Sequence, residues 1–263
     1  MSTPARGGYD VPGYIAALGR EGELLAVAAE RAGMGAAVPS CPRWAVRDLL
    51  KHTGYVHRWA TGFVAGGLGR PSGGESEAEI LSQGPGDAEL PGWFREGHAA
   101  LVHALSAAPP DLGCWAFLAA PSPLAFWARR QAHETAIHRV DAEQAAGRAS
   151  ASAFEPAFAA NGVDELIMGF LARNIGRGSW PGLDGSLAIH AADGPAGGAD
   201  WLVTGGPGEP GVSRGPGPAG CDVTGPARDL YLTLWNRRPP DGLHVTGDPG
   251  ILATFTRTLR ITW

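Results

Sequence analysis

Long apolar runs, cysteine pairs and blocks of basic residues are all missing from this chain of 263 residues, and each absence removes a class of function. No stretch approaches the roughly 20 apolar residues of a membrane-spanning helix, and the opening MSTPARGGYDVPGYIAAL contains no extended apolar segment, so no membrane association is expected. The three cysteines, Cys41, Cys114 and Cys221, are odd in number, far apart and never in a C-x-x-C pair. That pattern excludes a disulfide framework and a structural zinc knuckle and points to a reducing, cytoplasmic setting. With no Lys/Arg cluster and a formal net charge of -5, the chain offers no nucleic-acid or anionic-membrane surface. A small-molecule substrate is the remaining class of partner. No internal repeat is evident.

What is present is ample apolar content, 44%, enough for a sizeable core in one large domain or two ordinary ones. The 40 glycines and 22 prolines fall mostly in connecting segments rather than in a fibrous or disordered pattern. Helical spacing of Ile15, Leu18, Leu24, Leu25 and Ala28 predicts a first helix over Tyr14 to Ala32. A second is expected after VPSCPRW, with Ser40 as its cap, Pro42 in its first turn, and Val46, Leu49, Leu50, Val56 and Phe63 on one stripe. The breaker-rich insert from Gly66 to Gly92 reads as a loop with a short helix at Glu77 to Leu81, followed by helices over Trp93 to Ala107 and Leu124 to Gly147. These four longer helices predict a bundle. Beyond it, EPAFAANGVDELIMGFLARN reads as one more helix. GSLAIHAAD, ADWLVTGG, CDVTG and GLHVTGD read as short strands, and PARDLYLTLWNRRPP and GILATFTRTL as helices. The fold class is therefore α+β, with a metal-binding bundle over 1–150 and a smaller α/β domain over 151–263.

One helix carries the chemistry. FWARRQAHETAIHRVDAE, residues 126–143, contains no Gly or Pro and sets His133, Glu134, His138, Arg139 and Asp141 within nine positions. At about 100° per residue, Glu134 and His138 lie within about 40° of each other, whereas His133 is about 140° from His138. Glu134 and His138 are thus the better metal ligands and His133 the weaker candidate. A bundle builds a metal site from facing helices, and a catalytic zinc commonly takes three protein ligands and leaves one position open. His52 on the second helix completes such a set with Glu134 and His138. His57, five positions on, cannot share that face and is expected against solvent, a neighbour or the second domain. Asp48, one turn before His52, reads as an outer acceptor or a surface charge. Arg139 and Asp141 read as ion-pair members, and Phe126 and Trp127 as core. A Glu-x-x-x-His pair by itself is more often a solvated helix face than a metal site, so spacing alone leaves the assignment open.

CPRWAVRDLLKHTGYVHRWA resembles the first signature of the mycothiol-dependent maleylpyruvate isomerase family, a C-x-x-W-x-V-x-D-L-x-x-H run followed by a second His, Arg and Trp. HETAIHRVDAE resembles its second signature, and ARDLYLTLWNRRP with LHVTGD its closing motif. The resemblance spans nearly the whole chain. It implies a DinB-like four-helix bundle followed by a small α/β domain akin to sterol-carrier folds. It also implies a divalent metal, usually Zn2+, on His52, Glu134 and His138, the trio reached above from helix geometry. Mycothiol, a low-molecular-weight thiol, is the implied cosubstrate, and a C-terminal arginine, matched by Arg237 or Arg238, would hold a substrate carboxylate. Asn236 stands where many relatives have Gly.

The implied chemistry is attack by a thiolate on an electrophilic small molecule, leading either to cis-trans isomerisation or to thiol S-transfer. Two other readings remain open: a thiol-independent metal enzyme acting as a hydrolase or Lewis-acid catalyst, and a non-catalytic binding or resistance protein on the same fold. The tryptophans Trp44, Trp59, Trp93, Trp115 and Trp127 suit a filled core better than a large aromatic ligand. A monomer or a homodimer is equally compatible with the sequence.

Overall fold

The computed structural model describes residues 9–71, 77–82, 84–148, 153–195, 198–205 and 210–261. It divides into two compact units, Asp10–Ser152 on one side and Met1–Tyr9 with Ala153–Trp263 on the other. Parts of the predicted Gly66 to Gly92 insert, of the expected domain boundary and of the breaker clusters between Gly194 and Gly220 lie outside the described residues.

The first unit contains α1 (Val11–Ala32), α2 (Val46–Gly66), the short α3 (Glu77–Ser82), α4 (Leu90–Ala107) and α5 (Pro123–Ala145). Helix α1 starts three residues before the predicted Tyr14 because Asp10 caps it, accepting from Gly13 N at 2.9 Å, with Pro12 in the first turn. Helix α2 corrects the sequence reading. It begins at Val46 rather than after Ser40, and the hydroxyl of Ser40 donates instead to Asp141 Oδ1 at 2.6 Å. Residues 33–45 form turns and a single bridge between Ala37 and Ala45. Asp48 is neither a surface charge nor an outer acceptor of the histidine cluster: its Oδ2 accepts from Ala45 N at 2.8 Å and caps the start of α2.

Two cores fill this unit. Leu25, Ala29, Val46, Leu49, Leu50, Leu90 and Phe94 pack at one end. Trp59, Phe63, Trp115, Phe117, Phe126 and Trp127 pack together at another, with Phe63 stacked on Trp127 at 5.2 Å. Trp127 is fully buried, as its core reading expects. Gly54 makes α2 and α4 fit, because a Cβ there would lie 2.3 Å from the Trp93 ring. Helix α5 is unusual: it is polar around much of its circumference, yet residues 126–128 and 130–143 are all buried. Burial of that many charges requires partners within the bundle. None of the described helices is long and apolar enough to cross a membrane.

The second unit begins with a continuous helical run, α6 (Pro156–Asp164), a π-helical stretch (Glu165–Leu171) and α7 (Ala172–Gly176), where the sequence predicts a single helix. The strands are β1 (Leu187–Ala191), β2 (Ala199–Thr204), β3 (Gly211–Arg214), β4 (Cys221–Gly225) and β5 (His244–Gly247), in the order β3-β2-β1-β4-β5. All pairings are antiparallel except β1 with β4. Strand β3 was not anticipated, since GVSR is short and sits among turn residues. Leu187, Ile189, Trp201, Val203, Cys221 and Val223 are buried on one face of the sheet by the register. Helices α8 (Ala227–Leu234) and α9 (Pro249–Thr258) complete the α+β architecture. Helix α8 ends at Trp235, and Asn236 adopts φ 61°, the left-handed conformation that Gly or Asn tolerates. That is the physical reason an Asn can stand at this position in place of Gly.

Candidate metal centre

Helices α2 and α5 face each other across a buried polar cluster. Their contacts run in opposite senses: His52 meets His138 and Glu134, whereas Trp59 and Phe63, further along α2, meet Trp127, further back on α5. The pairing is therefore antiparallel and places His52 against the middle of α5. Glu134 Oε1 lies 3.3 Å from His52 Nε2 and 3.2 Å from His138 Nε2. One ligand atom from each of the three residues falls within 4.8 Å of the others, and all three side chains are buried. These are the three residues singled out in the sequence.

The surroundings orient each member. His138 Nδ1 is 2.9 Å from Asp141 Oδ2, and Asp141 is fully buried with its other oxygen held by Ser40. Donation from Nδ1–H to this carboxylate leaves Nε2 turned toward Glu134, the tautomer a metal ligand needs. Arg130, one turn before Glu134, donates from Nη2 to Glu134 Oε2 at 2.6 Å. Only Oε1 is then directed into the cluster. The Trp44 ring stands 4.9 Å from the His52 ring and 6.2 Å from the His138 ring, half-buried over the histidines.

Electrostatics follow from these contacts. Burial opposes the ionised form of Glu134, but the Arg130 guanidinium and hydrogen bonds from His138 and His52 overcome it and hold the carboxyl well below its ordinary range. Burial likewise opposes protonation of His138, yet the bonds to Asp141 and Glu134 prevail and push it up to about 9. Two imidazole nitrogens and one carboxylate oxygen form a donor set suited to zinc. A carboxylate–histidine pair behind one ligand is a recurrent companion of such sites. The residues present fit a divalent cation.

The other polar residues on α5 lie elsewhere. His133 is fully buried against the Tyr14 ring at 6.3 Å and forms no part of the cluster. Arg139 pairs with Glu21 at 2.6 Å and Glu143 at 3.3 Å, the structural role read from the sequence. Of the three settings expected for His57, the structure places it against a neighbour. It is fully buried, its Nε2 is 2.9 Å from Thr135 Oγ1, and burial with His98 nearby holds it well below its ordinary pKa. In the second unit, Arg237 Nη1 donates to Trp235 O at 2.8 Å. Arg238 donates from Nη1 to Asp229 and from Nη2 to Asp241 O at 2.9 Å.

Sequence reasoning missed Arg130, Ser40 and Trp44 as neighbours of the cluster. Arg130 could have been found by its i, i+4 spacing to Glu134. Ser40 could not, because its bond to Asp141 joins residues 101 positions apart.

Comparison with known proteins bears on the whole of this architecture. The mycothiol maleylpyruvate isomerase N-terminal domain matches residues 15–143, and the C-terminal domain of the same enzyme family matches residues 157–254. Among curated proteins, none matches the chain by sequence. Among solved structures, a mycothiol-dependent maleylpyruvate isomerase aligns with a TM-score of 0.62 at 15% identity, covering 91% of this chain and 95% of that one. A histidine-to-alanine mutant of a mycothiol-dependent maleylpyruvate isomerase aligns with a TM-score of 0.61 at 14% identity, with the same coverage. At such identities the structural likeness establishes the fold. With both domains matched in order over most of its length, the chain belongs to the mycothiol-dependent maleylpyruvate isomerase family.

Proposed function

We propose that the protein is a metal- and mycothiol-dependent enzyme that isomerises an electrophilic small molecule about a cis double bond. The observation that carries this reading is the convergence of His52 Nε2, Glu134 Oε1 and His138 Nε2 in the bundle. His52, Glu134 and His138 would hold the cation, with zinc the best match to the donor set. Such an ion, when bound, lowers the pKa of a thiol so that the nucleophilic thiolate is present at neutral pH.

The chain's own residues set up the remainder. Arg130 keeps Glu134 ionised and engages its second oxygen, and Asp141 with Ser40 keeps His138 Nε2 turned inward. Trp44 covers the histidines and restricts water beside them. The thiolate sulfur bonds to one alkene carbon, and the π pair moves into the adjoining carbonyl as an enolate. The new single bond rotates, the enolate re-forms the double bond, and the C–S bond breaks to release the trans product and the thiol. A guanidinium stabilises a carboxylate-bearing enolate through paired hydrogen bonds, the role the family resemblance assigns to Arg237 or Arg238. Protonation of the enolate carbon and release of the S-adduct before C–S cleavage would make the same site a thiol S-transferase. A reducing cytoplasm suits the thiol and the three free cysteines.

The test combines elemental analysis with a maleylpyruvate isomerisation assay, run with and without mycothiol. Near one divalent ion per chain, lost in His52→Ala and His138→Ala, together with turnover that requires mycothiol, is the expected result. A wild-type protein that retains no metal after reconstitution, or turns over equally well without thiol, overturns the proposal. Lysine at Arg237 or Arg238 identifies the carboxylate-binding residue by raising KM at that position only.

A further inference from the structure

Gln131 is a buried polar residue of α5 that takes no part in the contacts described above. It is fully buried, yet neither its amide oxygen nor its amide nitrogen has a hydrogen-bond partner among the described residues. Burying an amide without partners incurs its desolvation penalty in full, so native cores avoid it unless a bound group or an ordered water supplies the missing bonds. Its position narrows what that group can be. At about 100° per residue, Gln131 projects within about 20° of His138 and 60° of Glu134, and lies one turn from each of Trp127 and Glu134. It therefore sits between the aromatic cluster of Trp59, Phe63 and Trp127 and the His52–Glu134–His138 cluster.

We propose that Gln131 binds the amide of the thiol cosubstrate, an inference that rests on the functional reading above. A carboxylate would satisfy the amide nitrogen and repel the amide oxygen; a hydrocarbon would satisfy neither. A secondary amide offers one donor and one acceptor and satisfies both. Mycothiol is an N-acylcysteine derivative, and its amides lie only a few bonds from the sulfur. Cβ atoms one helical turn apart are about 5–6 Å apart, so a thiol at the cluster and an amide at Gln131 belong to the same small molecule. Gln131 is on this account a specificity-determining residue that selects acylated thiols and leaves metal binding to its neighbours.

The experiment measures binding calorimetrically on metal-loaded protein, comparing wild type with Gln131→Leu and, should leucine impair folding, Gln131→Met, with mycothiol, N-acetylcysteamine and propanethiol as probes. Expected are unchanged metal content and at least tenfold weaker binding of mycothiol and N-acetylcysteamine by the variant. Propanethiol, which has no amide, should bind wild type and variant alike. The ligand-free variant should also melt no lower than wild type, because an unpartnered amide has been removed. Equal mycothiol binding by wild type and variant overturns the role of Gln131 and leaves the functional reading standing. Equal weakening for all three thiols, or loss of metal, assigns Gln131 to packing or to the metal site and overturns the inference. A wild type that takes up metal but binds no mycothiol overturns both.

Discussion

On the proposed metal-dependent reading, proton and metal compete for one nitrogen, and that competition is measurable. His138 is pushed up to about 9 in the metal-free protein, burial being outweighed by its bonds to Asp141 and Glu134. At pH 7 the ring is therefore protonated, and a cation can take Nε2 only by displacing a proton. The displacement costs about 1.4 kcal/mol per pH unit below that pKa, on the order of 3 kcal/mol at pH 7. Apparent metal affinity should rise roughly 100-fold between pH 7 and 9 and then level off. Competition against a chelator of known affinity gives the slope, and calorimetry in buffers of different ionisation enthalpy should find close to one proton released per ion at pH 7. Asp141→Asn keeps the shape but removes the charge behind His138, so the levelling-off should move toward neutral pH. The sign in the absence of metal is opposite. A histidine raised on folding stabilises fully below its unfolded pKa near 6.5, and that contribution disappears as pH rises toward 9. Flat affinity from pH 7 to 9, or no proton release at pH 7, would refute the arrangement of Asp141, His138 and Glu134 described here.

Further outcomes follow from the packing. Gly54→Ala drives a Cβ to 2.3 Å from the Trp93 ring; overpacking of about 1–3 kcal/mol should exceed the gain of about 1 kcal/mol in helix propensity and lower the melting temperature, whereas an unchanged one would contradict the close approach. Arg139→Met strands the buried carboxylates of Glu21 and Glu143. About 3–5 kcal/mol should be lost in urea unfolding at pH 7, and the loss should shrink at lower pH as Glu21, whose pKa burial raises, takes up a proton; equal loss at all pH values counts against the pairing. Asn236→Gly should be near neutral and Asn236→Val should cost about 1–2 kcal/mol in thermal unfolding, because the position has φ 61°.

How much was legible in the sequence differs from element to element. The helix carrying Glu134 and His138 was legible because helix periodicity is local, and four-residue spacing places two side chains together whatever surrounds them. Its complete burial was not legible: polar residues around a helix ordinarily mean solvent, and only the partners on other elements, Glu21, Ser40 and His52, reverse that expectation. The start of α2 was misread because Ser40 has a good capping side chain in sequence, yet Asp141 claims its hydroxyl and Asp48 does the capping. Strand β3 escaped because four residues amid turn formers carry no period of their own, and pairing with β2 is what makes them a strand.

By itself, then, the sequence determined the helical bundle and the α+β order of the chain and named His52, Glu134 and His138 as candidates, because each depends on spacing along the backbone or on motifs contiguous in it; their convergence belongs to the tertiary structure. Tertiary structure alone decided that Arg130 engages one oxygen of Glu134, that Ser40 and Asp141 set the tautomer of His138, and that the Gln131 amide is buried without a hydrogen-bond partner among the described residues. Those facts depend on distances between residues up to a hundred positions apart and on which groups are shut away from water, quantities that arise only when the helices pack.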